Sequence, residues 1–197
     1  EATVKATKLP VTLKMRLGWD ESSLNAPELA RRAVDAGVQM ITVHGRTRCQ
    51  FYKGQANWGA ISRVKEAVTI PVIANGDIVD APSARAAIKA SGADGVMIGR
   101  GAQGRPWIVA QVAAELFGAG APQIPTGSGL SEMILNHYEE MLSFYGENLG
   151  LRVARKHLGW YMDQSLVTQA QRRSILTEQD PSLVLAQLAD LFDRSAA

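Results

Sequence analysis

Apolar and polar positions in the first 117 residues follow two alternating periods. Two-residue alternation over residues 11–17 and short apolar runs over 40–43, 72–74 and 96–98 predict strands. Between them the apolar spacing lengthens to three and four, which predicts helices over residues 26–36, 58–68 and 81–90. Gly37, Pro71 and Gly92 close these segments, because glycine and proline interrupt helical backbone. Strand and helix alternating at about 30 residues per unit call for parallel strands joined by helical crossovers. No Gly-x-Gly-x-x-Gly opens a helix after a strand, which disfavours a dinucleotide-binding sheet. Four units make half of a (β/α)8 barrel, and the expected fold class is α/β, the C-terminal half of such a barrel.

A stretch rich in Gly, Pro and Ser, "LFGAGAPQIPTGSG" at 116–129, then interrupts the pattern and reads as a linker. Beyond it the spacing is helical throughout, with helices expected over 130–145, 151–162, 166–176 and 182–192. The predicted organisation is a half barrel over 1–117, a linker over 118–129 and a small helical domain over 130–197. The chain does not start with Met, and its first residues resemble the last turn of an amphipathic helix, with Val4 apolar and Lys5 and Lys8 outward. A piece of something longer is expected.

With 46% apolar residues the chain can fill a core. No apolar run approaches the roughly 20 residues that cross a bilayer, and the N-terminus lacks a hydrophobic signal region, so a soluble, cytoplasmic protein is expected. One cysteine, Cys49, excludes an internal disulfide and any cysteine-only zinc site, and no metal is expected. A net charge of +2 announces no nucleic-acid partner. Its distribution is uneven: residues 1–117 hold 15 Lys and Arg against 10 Asp and Glu, whereas residues 118–197 hold 6 against 9. RNA, if bound, must meet local patches.

Strand alternation sets Val11, Leu13, Met15 and Leu17 on one face of the first strand and Thr12, Lys14 and Arg16 on the other. If the apolar face meets the helices, two cations point inward and require an anion, a carboxylate or a polar cofactor. His44 ends the second strand, where barrel enzymes carry functional residues, although a structural role is open to it. The third and fourth strands end in Asn75-Gly76-Asp77 and Gly99-Arg100-Gly101. Two adjacent strand ends of this kind predict a phosphate cup, in which glycines let the backbone approach and Arg100 adds charge. Asn75 and Asp77 can fix the loop or bond a sugar hydroxyl. Arg152, Arg155 and Lys156 share one helical face at spacings of three and four, followed by His157; a solvated charged face and an RNA-binding face are both consistent with that run.

The segments "VTLKMRLGWD" (11–20), "ITVHGRTRCQFYKGQANW" (41–58), "IPVIANGDI" (70–78), "GADGVMIGRGAQGRPW" (92–107) and "ARKHLGWY" (154–161) together resemble the tRNA-dihydrouridine synthases, most closely the bacterial DusB branch. The resemblance implies an FMN-dependent barrel followed by a helical domain that holds tRNA. NADPH would be the electron donor, and the product would be a uridine reduced at C5–C6, in the D-loop by branch membership. It also implies that Lys14 and His44 contact the flavin, and that Asn75, Gly76, Asp77, Gly99 and Arg100 hold its ribityl chain and phosphate. Arg152, Arg155, Lys156 and His157 fall in the tRNA-contacting region.

The family's proton-donating cysteine lies in an Asn-x-Gly-Cys-Pro segment, and an Ala-Pro-Met segment supports the flavin; neither occurs in these 197 residues. The chain is therefore expected to hold no catalytic proton donor and to be inactive by itself, with Cys49 a small packed thiol. Its open sheet edges are expected to favour self-association. Two other readings stay open: a flavin or phosphate-binding barrel acting on a small pyrimidine, and a non-catalytic tRNA-binding or assembly module.

Overall fold

The computed structural model describes residues 1–194 and divides into two compact units. The first comprises Glu1–Ala102 and Ile108–Gly120. Its four strands, β1 (Thr12–Arg16), β2 (Met40–His44), β3 (Val72–Asn75) and β4 (Gly95–Met97), form one parallel sheet in the order β1-β2-β3-β4. Helix α1 (Ala2–Lys5) precedes them, and α2 (Ala26–Asp35), α3 (Gly59–Ala67) and α4 (Ala81–Ser91) make the crossovers. This is an α/β fold consistent with part of a (β/α)8 barrel. Helix α5 (Ile108–Phe117) follows β4. Its sequence, IVAQVAAELF, is apolar nearly all round, so periodicity did not single it out.

Side chains in one register row of a parallel sheet share a face. The rows Lys14–Thr42 and Arg16–His44–Asn75–Met97 therefore carry the polar groups to one side. Leu13, Met15, Ile41, Val43, Val72 and Ala74 take the other side, in a core that also contains Ala30, Ile61, Val64, Ala84 and Ala87. Ile41, Val43, Val72 and Ala74 are all 0% exposed. Each buried Ile or Val is worth about 1.5–3 kcal/mol relative to leaving it in water. That term sets which face of the sheet meets the helices, and it turns Lys14 and Arg16 away from them as the alternation of β1 implied.

Local chemistry places the helix ends. Asp80 caps α4 by accepting from the Ser83 N–H at 2.8 Å, and Ser83 answers through the Asp80 N–H at 3.0 Å. Gly92, at φ +64°, closes the helix in the left-handed conformation that favours glycine.

The second unit comprises Gln103–Trp107 and the chain from Ala121 onward. Its helices are α6 (Gly127–Tyr145), α7 (Glu147–Met162), α8 (Gln169–Thr177) and α9 (Pro181–Arg194). Ile134, Tyr138, Met141, Leu151, Ala154, Leu158, Ile175, Val184 and Leu188 fill the core between them. Three starts differ from the periodic pattern. Helix α6 begins inside the stretch that composition marks as linker, and α7 begins directly after Gly146. Helix α8 begins directly after Thr168, the N-cap of a Thr168–Gln171 capping box, which leaves Leu166 fully exposed before it. For α8 the cap, which periodicity does not register, decides the boundary. Among the described residues no helix is long and apolar enough to cross a membrane, and no group of three or more His, Cys, Asp and Glu could hold a metal ion.

Candidate functional site

All four strands deliver their C-terminal ends to one place. A cavity of about 530 Å3 is lined by Lys14 of β1, His44 of β2, Asn75, Gly76 and Asp77 of β3 and its loop, and Gly99, Arg100 and Gly101 after β4. Tyr52, Met97 and Ile98 also line it. The seven residues that the resemblance assigned to the cofactor thus line one cavity, together with Gly101.

The β3 loop is shaped by two consecutive left-handed residues, Gly76 at φ +111° and Asp77 at φ +54°. A Cβ at Gly76 would lie 2.7 Å from His44 Cδ2 and 2.8 Å from Ala56 Cβ, so only glycine fits. Asp77 tolerates its conformation because its carboxylate is held from several sides. Oδ1 accepts from Arg46 at 2.9 Å and Arg100 at 3.4 Å; Oδ2 accepts from Arg46 at 2.6 Å and the Ala56 N–H at 2.7 Å. A carboxylate has about four acceptor sites, and these four donors fill them. Of the two roles open to Asp77, fixing the loop is the one its contacts perform. Burial alone would raise its pKa, but the Arg46 and Ala56 hydrogen bonds and the charges of Arg46 and Arg100 outweigh that and hold it below the ordinary value. Asn75 is likewise engaged, donating to the Met97 carbonyl at 2.8 Å and tying β3 to β4.

Gly99 behaves differently from its neighbours. A Cβ at Gly101 would meet the Ile78 carbonyl at 2.5 Å, whereas one at Gly99 would meet nothing within 4 Å, and Gly99 has no positive φ. Neither packing nor backbone demands a glycine at 99. Its place in the cavity wall leaves room for a ligand to approach the backbone.

Arg46 and Tyr52, which the strand-end reading passed over, build the site's frame together with the inward cation Arg16. Arg46, 1% exposed, contacts the cavity residues His44 and Asp77 and so joins the β2 loop to the β3 loop. Arg16 donates to the Thr47 carbonyl at 2.7 Å and the Phe51 carbonyl at 2.9 Å, so this inward cation is answered by loop backbone rather than by a carboxylate. Tyr52 receives the Arg100 guanidinium over its ring at 4.6 Å. The Arg-Thr-Arg run after His44 was the available signal, although nothing in spacing alone said which of its cations would turn inward. Cys49, expected to be packed, is exposed in this loop, which turns outward on its backbone bonds to Gly18 and Trp19.

Lys14 has no carboxylate partner among the described residues, and burial followed by the nearby Arg16 charge lowers its pKa. Burial and the cations Arg16, Lys14 and Arg46 depress His44 to about 4, against the smaller opposing effect of Asp77, so the imidazole is neutral near pH 7. The cavity therefore gathers Lys14 and Arg100 around glycine backbone, a setting for an anion with a polar body attached.

In the helical unit the four basic candidates separate. Arg152 and Lys156 are exposed on α7. Arg155 is half-buried, donates to the Glu178 carbonyl at 3.3 Å and keeps its Nε buried without a partner. His157 lies edge-on to His137 at 5.1 Å and to Trp160 at 5.0 Å, and burial followed by His137 lowers its pKa. The one face implied by spacing is thus two exposed cations flanked by two packed side chains.

A parallel α/β sheet with an anion-suited cavity at its strand C-termini is the class of protein that fold and site define. Within that class, the family model described as dihydrouridine synthase (Dus) matches residues 1–195. The chain belongs to the dihydrouridine synthase family. A probable tRNA-dihydrouridine synthase of Rhodobacter capsulatus is 57% identical over 198 residues, covering 100% of this chain and 60% of that protein. One from Rhizobium leguminosarum is 50% identical over the same coverage, and tRNA-dihydrouridine synthase B of Xanthomonas axonopodis is 43% identical over 98% of this chain and 58% of its own length. The chain thus spans about 60% of the length of these curated relatives. A nitroalkane oxidase structure from Streptomyces ansochromogenes aligns with 50% of the chain and 29% of its own at a TM-score of 0.35 and 22% identity, too slight a likeness to bear on fold or chemistry.

Proposed function

We propose that this chain forms the cofactor- and RNA-holding part of an FMN-dependent tRNA-dihydrouridine synthase. In this reading β1–β4 are the last four strands of a (β/α)8 barrel. The oxidoreductase reduces the C5–C6 double bond of a D-loop uridine in tRNA, with NADPH as electron donor, in the cytoplasm. The observation that carries the reading is the convergence of Lys14, His44, Asn75, Gly76, Asp77, Gly99 and Arg100 on one cavity.

The residues fit FMN. The cavity volume of about 530 Å3 falls within the roughly 300–1,000 Å3 usual for ligand sites. The open space over Gly99 and the Arg100 guanidinium suit a phosphate, with Gly76 and Gly101 shaping the wall. Lys14 and neutral His44, toward β1 and β2, would orient the ring, and Lys14 would favour negative charge there. Asp77 and Asn75 act by holding the loop and strand ends in place. Bound FMN supplies hydride-transfer chemistry. The uridine must leave the tRNA stack to reach it, and exposed Arg152 and Lys156 on α7 are suited to the phosphates that position the RNA. Arg155 and His157, which we also assign to the RNA-binding region, contribute by shaping α7.

The chain's only cysteine, Cys49, is exposed and does not line the cavity. With no thiol to protonate C5, the 197-residue chain is expected to form no dihydrouridine by itself. Its edge strands β1 and β4 each pair on one side only and would support self-association, which light scattering at micromolar concentration tests. The deciding experiment is titration of the chain with FMN, followed by quenching of flavin fluorescence. Saturable binding lost in Arg100→Glu supports the reading; absence of binding together with retained tRNA affinity favours a non-catalytic RNA-binding module.

A further inference from the structure

Arg46 makes five polar side-chain contacts, as many as a guanidinium has N–H bonds. Nε donates to the Lys53 carbonyl at 3.1 Å, Nη2 to the Gly54 carbonyl at 2.6 Å and Asp77 Oδ2 at 2.6 Å, and Nη1 to Asp77 Oδ1 at 2.9 Å. The fifth contact joins Nη1 to His44 Nε2 at 3.3 Å. A guanidinium has no lone pair to offer, so in this contact Nε2 must accept. An imidazole that accepts at Nε2 and is neutral carries its proton on Nδ1.

The surroundings of the ring agree. A Cβ at Gly76 would meet Cδ2 and Nε2 of His44, so that edge is packed against the β3 loop. Among the described residues Nδ1 has no hydrogen-bond partner, and it is not among the sealed, partnerless polar atoms, while His44 as a whole lines the cavity. The charged groups around the ring are Arg16 and Lys14 from β1, Arg46 from its own loop and Asp77 from the β3 loop. Burial first, and then the three cations among these four, keep a second proton off the ring.

We propose that Arg46 is a positioning residue that locks His44 in the Nδ1–H tautomer, so that the end of β2 offers the cavity's ligand a hydrogen-bond donor for a carbonyl or phosphate oxygen. The ligand half of this inference rests on the cavity being the FMN site; the tautomer half does not. Arg46 acts through His44 and touches no ligand, which explains why a residue 1% exposed can set the polarity of a binding wall.

The test uses the whole 197-residue protein labelled with 15N. Its three histidines make the imidazole region of a long-range 1H–15N spectrum simple, and His44→Gln assigns the signal. The expected spectrum shows His44 with a protonated Nδ1 and a bare Nε2 at pH 7; a protonated Nε2 overturns the proposal without further experiment. In Arg46→Lys, which keeps charge but loses the planar fork, the signal should shift toward a mixture of tautomers. An unchanged pure Nδ1–H form would remove Arg46 from the role. Should that variant fail to fold, His44→Asn and His44→Gln take its place, because their amides fall near Nδ1 and Nε2 respectively. Asn should keep FMN affinity within about threefold and Gln should lose at least about tenfold; the opposite order overturns the donor assignment. Wild-type protein with the expected tautomer but no FMN binding would sink the proposed cofactor and leave the Arg46–His44 relation standing.

Discussion

Arg46 and Asp77, 31 residues apart in the chain, meet as a two-pronged ion pair at 2.9 and 2.6 Å. The arginine side chain is 2% exposed and the carboxylate 30%. The pair joins the end of β2 to the loop after β3 and fixes the wall of the cavity between them. Such a pair is costly to break by removing the carboxylate, because the buried guanidinium left behind cannot reach water.

Asp77→Ala should therefore destabilise the protein by about 3 kcal/mol, since it strands the Arg46 guanidinium. Urea denaturation measures it. A loss below about 1 kcal/mol would mean that water reaches Arg46 once the carboxylate is gone.

The glycines of the cavity should separate into two kinds. Gly76→Ala and Gly101→Ala each force a Cβ into occupied space and should each cost about 2 kcal/mol or more of stability. Gly99→Ala meets nothing within 4 Å, so its melting temperature should stay near wild type while FMN affinity falls about tenfold. Thermal melts and flavin titration on the same samples distinguish the two; equal FMN affinity in Gly99→Ala would count against a ligand over that residue.

Acid should cost stability through His44. Its folded value of about 4 lies below the ordinary 6.5, so between these values the unfolded chain binds the extra proton and stability rises with pH. Acidification across that window should remove up to roughly 3 kcal/mol. Asp77 and Asp94, whose values are lowered from 3.8, lose their contributions only at still lower pH. His44→Gln should reduce the slope between pH 4 and 6.5, leaving the part carried by His157, whose value is also lowered; an unchanged slope there would show that His44 does not carry it.

On α7, Arg152→Glu and Lys156→Glu should weaken tRNA binding and lower the slope of log affinity against log salt by about one per lost phosphate contact. Arg155→Met should leave stability unchanged or improve it, because the half-buried guanidinium keeps an unpartnered Nε. Filter binding across a salt series and urea melts read the two effects independently.

Periodicity carried far in this chain. The order of strands and helices, the apolar face of β1 and the glycine ends of β3 and β4 all follow from local spacing, because a strand or helix buries whichever face its own residues make apolar. The membership of the cavity was legible for the same reason: strand C-termini of a parallel sheet lie side by side, so His44, Asn75 and Gly99 could be grouped before any contact was known. Tertiary structure alone decided what each polar group does there. The carboxylate of Asp77 is taken up by Arg46, Arg100 and the Ala56 N–H, and Arg155 turns to the Glu178 carbonyl, because partners 21 to 31 residues away compete for each charge. Gly104 makes the same point. Its φ of +74° and its backbone contact with Trp160 seat Gln103–Trp107 in the helical unit, although composition changes only later in the chain. Hydrophobic pattern is a property of a segment, whereas the satisfaction of a buried charge or the close approach of two backbones depends on pairs distant in sequence.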